Sequence, residues 1–210
     1  MVAVYSLSFV LPPAIDTPSG QVEARANQAS RPPGASAEAL MTAYVAGNAE
    51  AFDELYRLLS PKLFGYLLRL TRHRERAEDL LQVTFSKIHR ARASYLNDSP
   101  LLPWVLAIAR RSFYDEVRQQ KARREELSKD GALPEPTQPA PDGELADVLE
   151  RALSEIPEVY REPIILTKVT GLSLAEAADV VGATPSAVKL RVHRGYKILR
   201  EVLERLRAND

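Results

Sequence analysis

Between Thr184 and Arg200 the chain carries five basic side chains and no acidic one: Lys189, Arg191, Arg194, Lys197 and Arg200. Such cations can neutralise phosphates, and arginine can also donate a forked pair of hydrogen bonds to a guanine edge. A helix must position them. At about 100° per residue, Val188, Val192, Leu199 and Leu203 gather on one side and form the expected buried face. Ser186, Leu190, His193, Arg194 and Lys197 point the opposite way, flanked by Lys189, Arg191 and Arg200.

The residues just upstream set that helix in place. Ser173 can cap a short helix by accepting a backbone N–H, and Glu176, three residues on, completes a capping box. Leu174, Ala177, Ala178 and Val181 share one face of it, the expected packing face. Gly182 suits the left-handed position that ends a helix. Thr184 then caps the second helix, and Pro185 at its first position loses no needed N–H. Two short helices about a tight turn, the second basic, are the layout of a helix-turn-helix that enters the DNA major groove.

Two further helices carry more than packing. A pattern from about Leu101 to Glu126 mixes Trp104, Phe113 and Tyr114 with Arg110, Arg111, Arg118, Lys121, Arg123 and Arg124. Rings interleaved with cations suit single-stranded or opening DNA, because bases stack on the rings while the cations hold phosphates. In a helix from about Glu75 to Tyr95, Ala77, Leu80, Leu81, Thr84, Ile88, Ala91 and Tyr95 form the core face. Asp79, Gln82 and Phe85 align a carboxylate, an amide and an aromatic along the other side, as a helix-docking surface would.

The whole-chain charge is zero and hides this distribution. Residues 37–129 carry 16 Lys/Arg against 12 Asp/Glu, whereas residues 130–145 hold Asp130, Glu135, Asp142 and Glu144 with no base. There is no cysteine, which excludes disulfides and thiolate metal sites, and His73, His89 and His193 lack ligand spacing. No metal and no cofactor is expected. No paired acid and base and no nucleophile–histidine arrangement points to an enzyme. No apolar run is long enough to span a membrane, and the short apolar start lacks a basic leader region, so the chain reads as cytoplasmic.

The expected fold is all-α, with two small helical domains joined by a flexible linker and a helix-turn-helix in the second. Residues 1–36, rich in Pro, Ala and Ser, read as a disordered extension. Residues 37–129 form the first domain, 130–143 an acidic, proline-rich linker, and 144–210 the second domain. Within the first domain, Ala49–Leu59 reads as one helix, and Ser60-Pro61 as the cap and start of another running to about Thr71. Asn97-Asp98-Ser99-Pro100 reads as a loop.

From about Glu38 to Leu203 the sequence resembles the extracytoplasmic-function sigma factors of bacteria, two-domain transcription initiation factors. Ala77–Phe85 looks like the family's polymerase-clamp-binding helix, Trp104–Arg118 like its promoter-melting helix, and Gly171–Arg194 like its reader of the minus-thirty-five element. The resemblance implies that Asp79, Gln82 and Phe85 contact core RNA polymerase. It places a flipped base of the minus-ten element in the Asn97–Pro103 loop, with Asn97 a contact, and the opening strand on Arg110, Arg111, Tyr114, Arg118 and Lys121. It assigns minus-thirty-five DNA to Thr184, Ser186, Lys189, Leu190, Arg191, His193, Arg194 and Lys197. It further implies promoter DNA and an anti-sigma factor as partners, with sequestration at the inner membrane as one form of control. Four positions depart from the family's habit: Val83 replaces an acidic residue, Ala107 a basic one, Arg111 an asparagine and Leu190 a small polar residue. The competing reading is a helix-turn-helix regulator that never engages polymerase.

Overall fold

Leu55, Leu59 and Leu63, followed by the adjacent pair Tyr66 and Leu67 and then Leu70, recur at helical spacing and build one continuous buried stripe of the N-terminal half. They lie on α2 (Glu50–Thr71), which follows α1 (Ala37–Val45) and precedes α3 (Arg74–Ala91), a single 3₁₀ turn (Arg92–Ser94) and α4 (Leu101–Ser128). The computed structural model describes residues 36–96, 99–128 and 151–208 of the chain. The C-terminal half has a helical stretch at 151–155, then α5 (Glu158–Ile164), a wide π turn (Ile165–Val169), α6 (Leu174–Val181) and α7 (Pro185–Ala208). Every regular element among the described residues is helical, as the sequence predicts.

Local chemistry starts and stops these helices. Ser36 caps α1 by accepting from the Ala39 N–H, and Glu38 in its first turn accepts from the Leu101 N–H at 3.2 Å, joining the starts of α1 and α4. Asn48 Oδ1 accepts from the Glu50 N–H at the entry to α2. Arg72 ends α2 in the left-handed conformation (φ 56°) and donates its N–H to the Leu68 carbonyl.

The expected helix break at Ser60-Pro61 does not occur: α2 runs through it. Proline removes one backbone donor and crowds the carbonyl four residues back. Pro61 is exposed, whereas Leu59 and Leu63 on either side of it are buried in one continuous stripe. Burial of that stripe outweighs the single lost hydrogen bond. The helix expected to reach Tyr95 ends at Ala91, and the 3₁₀ turn carries the chain to Tyr95, which packs on Trp104 with ring centroids 5.4 Å apart.

The described residues, from Ser36 onward, belong to one compact unit. The two helical groups share a buried cluster, in which Ile165, Leu166, Leu172, Ala177, Ala178, Val180 and Val188 join Tyr66, Leu67, Leu106 and Ala109 of the N-terminal half. Helix α6 packs on α4, and the π turn packs on α2. A smaller cluster of Leu153, Ile156 and Ile164 lies against Tyr160, Ile198 and Leu199. Of the expected extension, residues 1–35 lie outside the described residues, as does the 130–143 linker, whereas Ser36 belongs to the fold as the cap of α1.

The buried face of α6 is Ala177, Ala178 and Val180, whereas Leu174 is 37% exposed and Val181 only half-buried. The stripe is rotated from the expected one because α6 meets α4, α7 and the π turn rather than a single neighbour. Phe85 is also displaced from its expected role. It is 5% exposed, packed against Tyr56 and edge-on to Phe52, so it is core rather than surface. Phe85→Ala is therefore expected to cost about 3–5 kcal/mol of stability by leaving a cavity. Asp79→Ala and Gln82→Ala, at exposed positions, are expected to stay within about 0.5 kcal/mol. Denaturant unfolding of the three variants measures the difference.

Candidate nucleic-acid interface

The C-terminal pair of helices is built as its sequence predicts. Ser173 Oγ accepts from the Glu176 N–H at 3.2 Å, and Glu176 Oε2 accepts from the Ser173 N–H at 2.8 Å. The hydrogen bonds from Ser173 hold the Glu176 carboxyl below the usual carboxylate range. Gly182 ends α6 at φ 69°, where a side chain would be strained. Thr184 Oγ1 accepts from the Ala187 N–H at 3.2 Å and starts α7.

Helix α7 is anchored by Val188, which is fully buried, and by Gly195. A Cβ at Gly195 would lie 2.6 Å from Ile164 Cδ1 and 3.1 Å from the Tyr160 carbonyl oxygen, so a side chain there would push Ile164 aside and crowd the α5 backbone. That contact turns the opposite face outward. Thr184, Ser186, Lys189, Leu190, His193, Arg194 and Lys197 are all exposed, Leu190 at 51%. Arg191 is half-buried and turns instead toward α4 and α5.

The residues assigned to the opening strand divide into two groups. Arg111, Arg118 and Lys121 are exposed on α4. Arg118 pairs with Asp115 one turn earlier, and Lys87 of α3 reaches the same carboxylate at 3.2 Å. These two cations, Arg118 first, hold the Asp115 carboxyl below its usual range. Arg110 and Tyr114 are half-buried and already engaged. Arg110 donates Nε to Glu162 Oε1 at 2.8 Å and Nη2 to Oε2 at 3.3 Å, and its guanidinium lies 4.5 Å from the Tyr114 ring centroid. Tyr114 Oη donates to Glu158 at 2.7 Å and to Glu162 at 3.2 Å. Asn97 lies outside the described residues. The expected loop is shorter than drawn, since Leu101–Pro103 already belong to α4.

Asp79 and Gln82 are exposed together on α3, beside Val83, which is 44% exposed. Phe85, buried beneath them, fixes the helix rather than the surface. Among the described residues no group of three or more acidic or histidine side chains could hold a metal ion, and no helix is long and apolar enough to cross a membrane.

Sequence reasoning missed Tyr66, Glu158 and Glu162. Tyr66 is fully buried on α2 and donates Oη to Glu162 Oε1 at 2.7 Å. Burial first, and the adjacent Glu162 carboxylate second, push its phenol well above the usual tyrosine value. The available signal was the i, i+4 spacing of Glu158 and Glu162, which sets two carboxylates on one helix face. Nothing in the sequence said that this face meets α4.

The family model for sigma-70 region 2 matches residues 55–123, and that for sigma-70 region 4 matches residues 146–199. The chain is 34% identical over 166 residues to RNA polymerase sigma factor CarQ of Myxococcus xanthus, covering 76% of this chain and 93% of that relative. It is 32% identical over 169 residues to the ECF RNA polymerase sigma factor SigF of Caulobacter vibrioides, covering 80% of this chain and 94% of SigF. A similar solved structure is that of the sigma factor RpoE in complex with the anti-sigma factor NepR from Bartonella quintana, at 31% identity and TM-score 0.64, covering 74% of this chain and 98% of that one. Another is CnrH in complex with the cytosolic domain of CnrY, at 25% identity and TM-score 0.62, covering 80% and 98%. With both sigma-70 regions matched in order and relatives covered almost end to end, the chain belongs to the extracytoplasmic-function family of RNA polymerase sigma factors.

Proposed function

We propose that this sigma factor divides promoter recognition between two helices and attaches to core RNA polymerase through a third. Helix α7 reads the minus-thirty-five element with Thr184, Ser186, Lys189, Leu190, Arg191, His193, Arg194 and Lys197. Helix α4 holds the opened minus-ten strand with Arg110, Arg111, Tyr114, Arg118 and Lys121, and Asn97, earlier in the sequence, contacts the same element. Asp79 and Gln82 dock on the polymerase clamp, with Val83 adding an apolar contact and Phe85 acting from beneath as their support. The observation that carries the reading is the outward basic face of α7, which Val188 and Gly195 pin against the rest of the fold.

No covalent catalysis is assigned to the chain: polymerase makes the bonds, and the sigma factor supplies position and binding energy. It acts in the cytoplasm, where promoter DNA is. The RpoE relative in complex with the anti-sigma factor NepR, and CnrH with the cytosolic domain of CnrY, support control of this chain by an anti-sigma partner of its own.

Transcription from a genomic promoter library with core polymerase tests the whole reading. Specific start sites above core polymerase alone are expected, and their absence overturns it. The combined Asp79→Ala, Gln82→Ala variant is expected to lose these starts while still binding minus-thirty-five duplex in gel-shift titrations. Lys197→Ala is expected to weaken that duplex binding evenly across sequences and to lower the salt slope by about one. Leu190 occupies the middle of the reading face, where an apolar side chain can contact a thymine methyl group. Leu190→Ser is therefore expected to change base preference at one position of the element, read by sequencing bound duplexes from a randomised pool. An unchanged preference at every base removes Leu190 from the readout.

A further inference from the structure

Between Arg110 and Arg124, α4 carries only two acidic side chains, Asp115 and Glu116, and both pair with cations of α3. Lys87 Nζ donates to Asp115 Oδ2 at 3.2 Å. Arg76 donates Nε to Glu116 Oε1 at 3.2 Å and Nη2 to Gln120 Oε1 at 3.4 Å. Asp115 and Glu116 are neighbours and so leave α4 about 100° apart. Arg76 and Lys87 stand about three turns apart on α3. Turning α4 about its own axis in either direction would pull one of these pairs open. The two carboxylates are 41% and 29% exposed, and pairs at such exposure add little stability. What they fix is the roll of the strand-holding helix against the polymerase-docking helix.

Asp115 also reaches along its own helix. Its other oxygen, Oδ1, accepts from Nη2 of Arg118, three residues on. Arg118 is otherwise a long, solvated side chain, 76% exposed, with many rotamers to lose on binding. The hold uses one amino group of the guanidinium, so other donors remain for a phosphate. Arg110, by contrast, has its fork on Glu162. Lys87 lies four residues beyond Val83 on α3, on the flank of the face that carries Asp79 and Gln82. We infer that Asp115 is a positioning residue: it divides its carboxylate between α3 and α4 and so sets the direction of Arg118, relative to the docked polymerase, before the opened strand arrives. This rests on the assignment of Arg118 to that strand. A side chain already aimed loses less freedom when it meets its phosphate. The gain therefore appears in strand opening rather than in the first encounter with duplex. Charge alone makes the opposite prediction, because an acid removed from a basic face strengthens attraction to phosphate.

The test uses holoenzyme assembled from core RNA polymerase and the full chain, on the strongest promoter that the genomic library yields, with fluorescent aminopurine in the minus-ten element to report opening. Two quantities are read: the opening rate at saturating holoenzyme and the holoenzyme concentration that gives half of it. Asp115→Asn is expected to lower the saturating rate about tenfold, the scale of one charge-assisted hydrogen bond, while the half-saturating concentration does not rise. Lys87→Arg, which can still donate to Asp115, is expected to open at the rate of the unsubstituted chain, and Lys87→Met more slowly. Opening by Asp115→Asn at or above the unsubstituted rate overturns the positioning. Arg118→Gln then shows where the fault lies. Slow opening by Arg118→Gln keeps Arg118 on the strand and discards only the part given to Asp115, whereas unchanged opening removes Arg118 from the strand. A rate loss in Asp115→Asn matched by an equal rise in half-saturating concentration also overturns the positioning, since polymerase docking is then what suffers. Equal rates in Lys87→Arg and Lys87→Met overturn the tie to α3. If Asp115→Asn loses its cooperative melt, the comparison of the two Lys87 variants decides by the same readouts. A library without specific starts removes the proposed function and this inference with it.

Discussion

One buried carboxylate organises the meeting of the two sigma regions. Glu162 reaches three donors that come from two different helices, and neither its carboxylate nor the Tyr66 phenol could be buried without a partner. A lone buried carboxylate is too costly to keep charged, and a lone buried phenol is left without its acceptor. Burial alone would weaken the charge on Arg110, but the hydrogen bonds and attraction of Glu162 outweigh it and set its pKa above the usual arginine value. Tyr114 is likewise held neutral, first by its own burial and then by the charge of Glu162, so it stays a donor at any physiological pH. Such a set is weak evidence for stability, because desolvation consumes much of the attraction. It is stronger as a device for register: only one placement of α5 against α2 and α4 satisfies every member.

The reading helix depends on the same body by a different route. Its outward face owes nothing to charge; it follows from where the inward face can pack. Val188 fills the shared core, and Gly195 lets the α5 backbone come so near that a Cβ would lie 3.1 Å from the Tyr160 carbonyl oxygen, tighter than most such contacts. The caps at Ser173, Gly182 and Thr184 then set the angle between α6 and α7 locally, within a few residues of sequence. The DNA-facing cations are thus placed by apolar contacts and backbone geometry, while their own side chains remain solvated and free to exchange water for phosphate.

How legible each feature was depends on how local its cause is. The capping box, the left-handed glycine, the proline at the start of α7 and the outward basic face were all readable, because each involves residues within one or two helical turns. Pro61 misled for the same reason. Taken locally it marks a helix start, but the buried stripe from Leu55 to Leu70 holds the helix through it. Phe85 falls on the boundary of the α3 face, and periodicity cannot say to which side a boundary residue turns. Tyr56 and Phe52, on another helix, decide that it is core. The α6 stripe was likewise read a fraction of a turn away from where its neighbours place it.

The order of the three motifs, the all-helical class and the chemistry of each DNA-facing surface were determined by the sequence itself, since they rest on residue type and short spacing. Only the tertiary structure decided which of those surfaces are free. Arg110 and Arg111 are adjacent and look alike as letters, yet one is forked onto a buried carboxylate and the other faces solvent. The partner of Arg110 lies 52 residues further along the chain. No periodicity spans that distance, and the contact exists only because α5 folds back across α2 and α4, where burial makes the pairing of Glu162 obligatory.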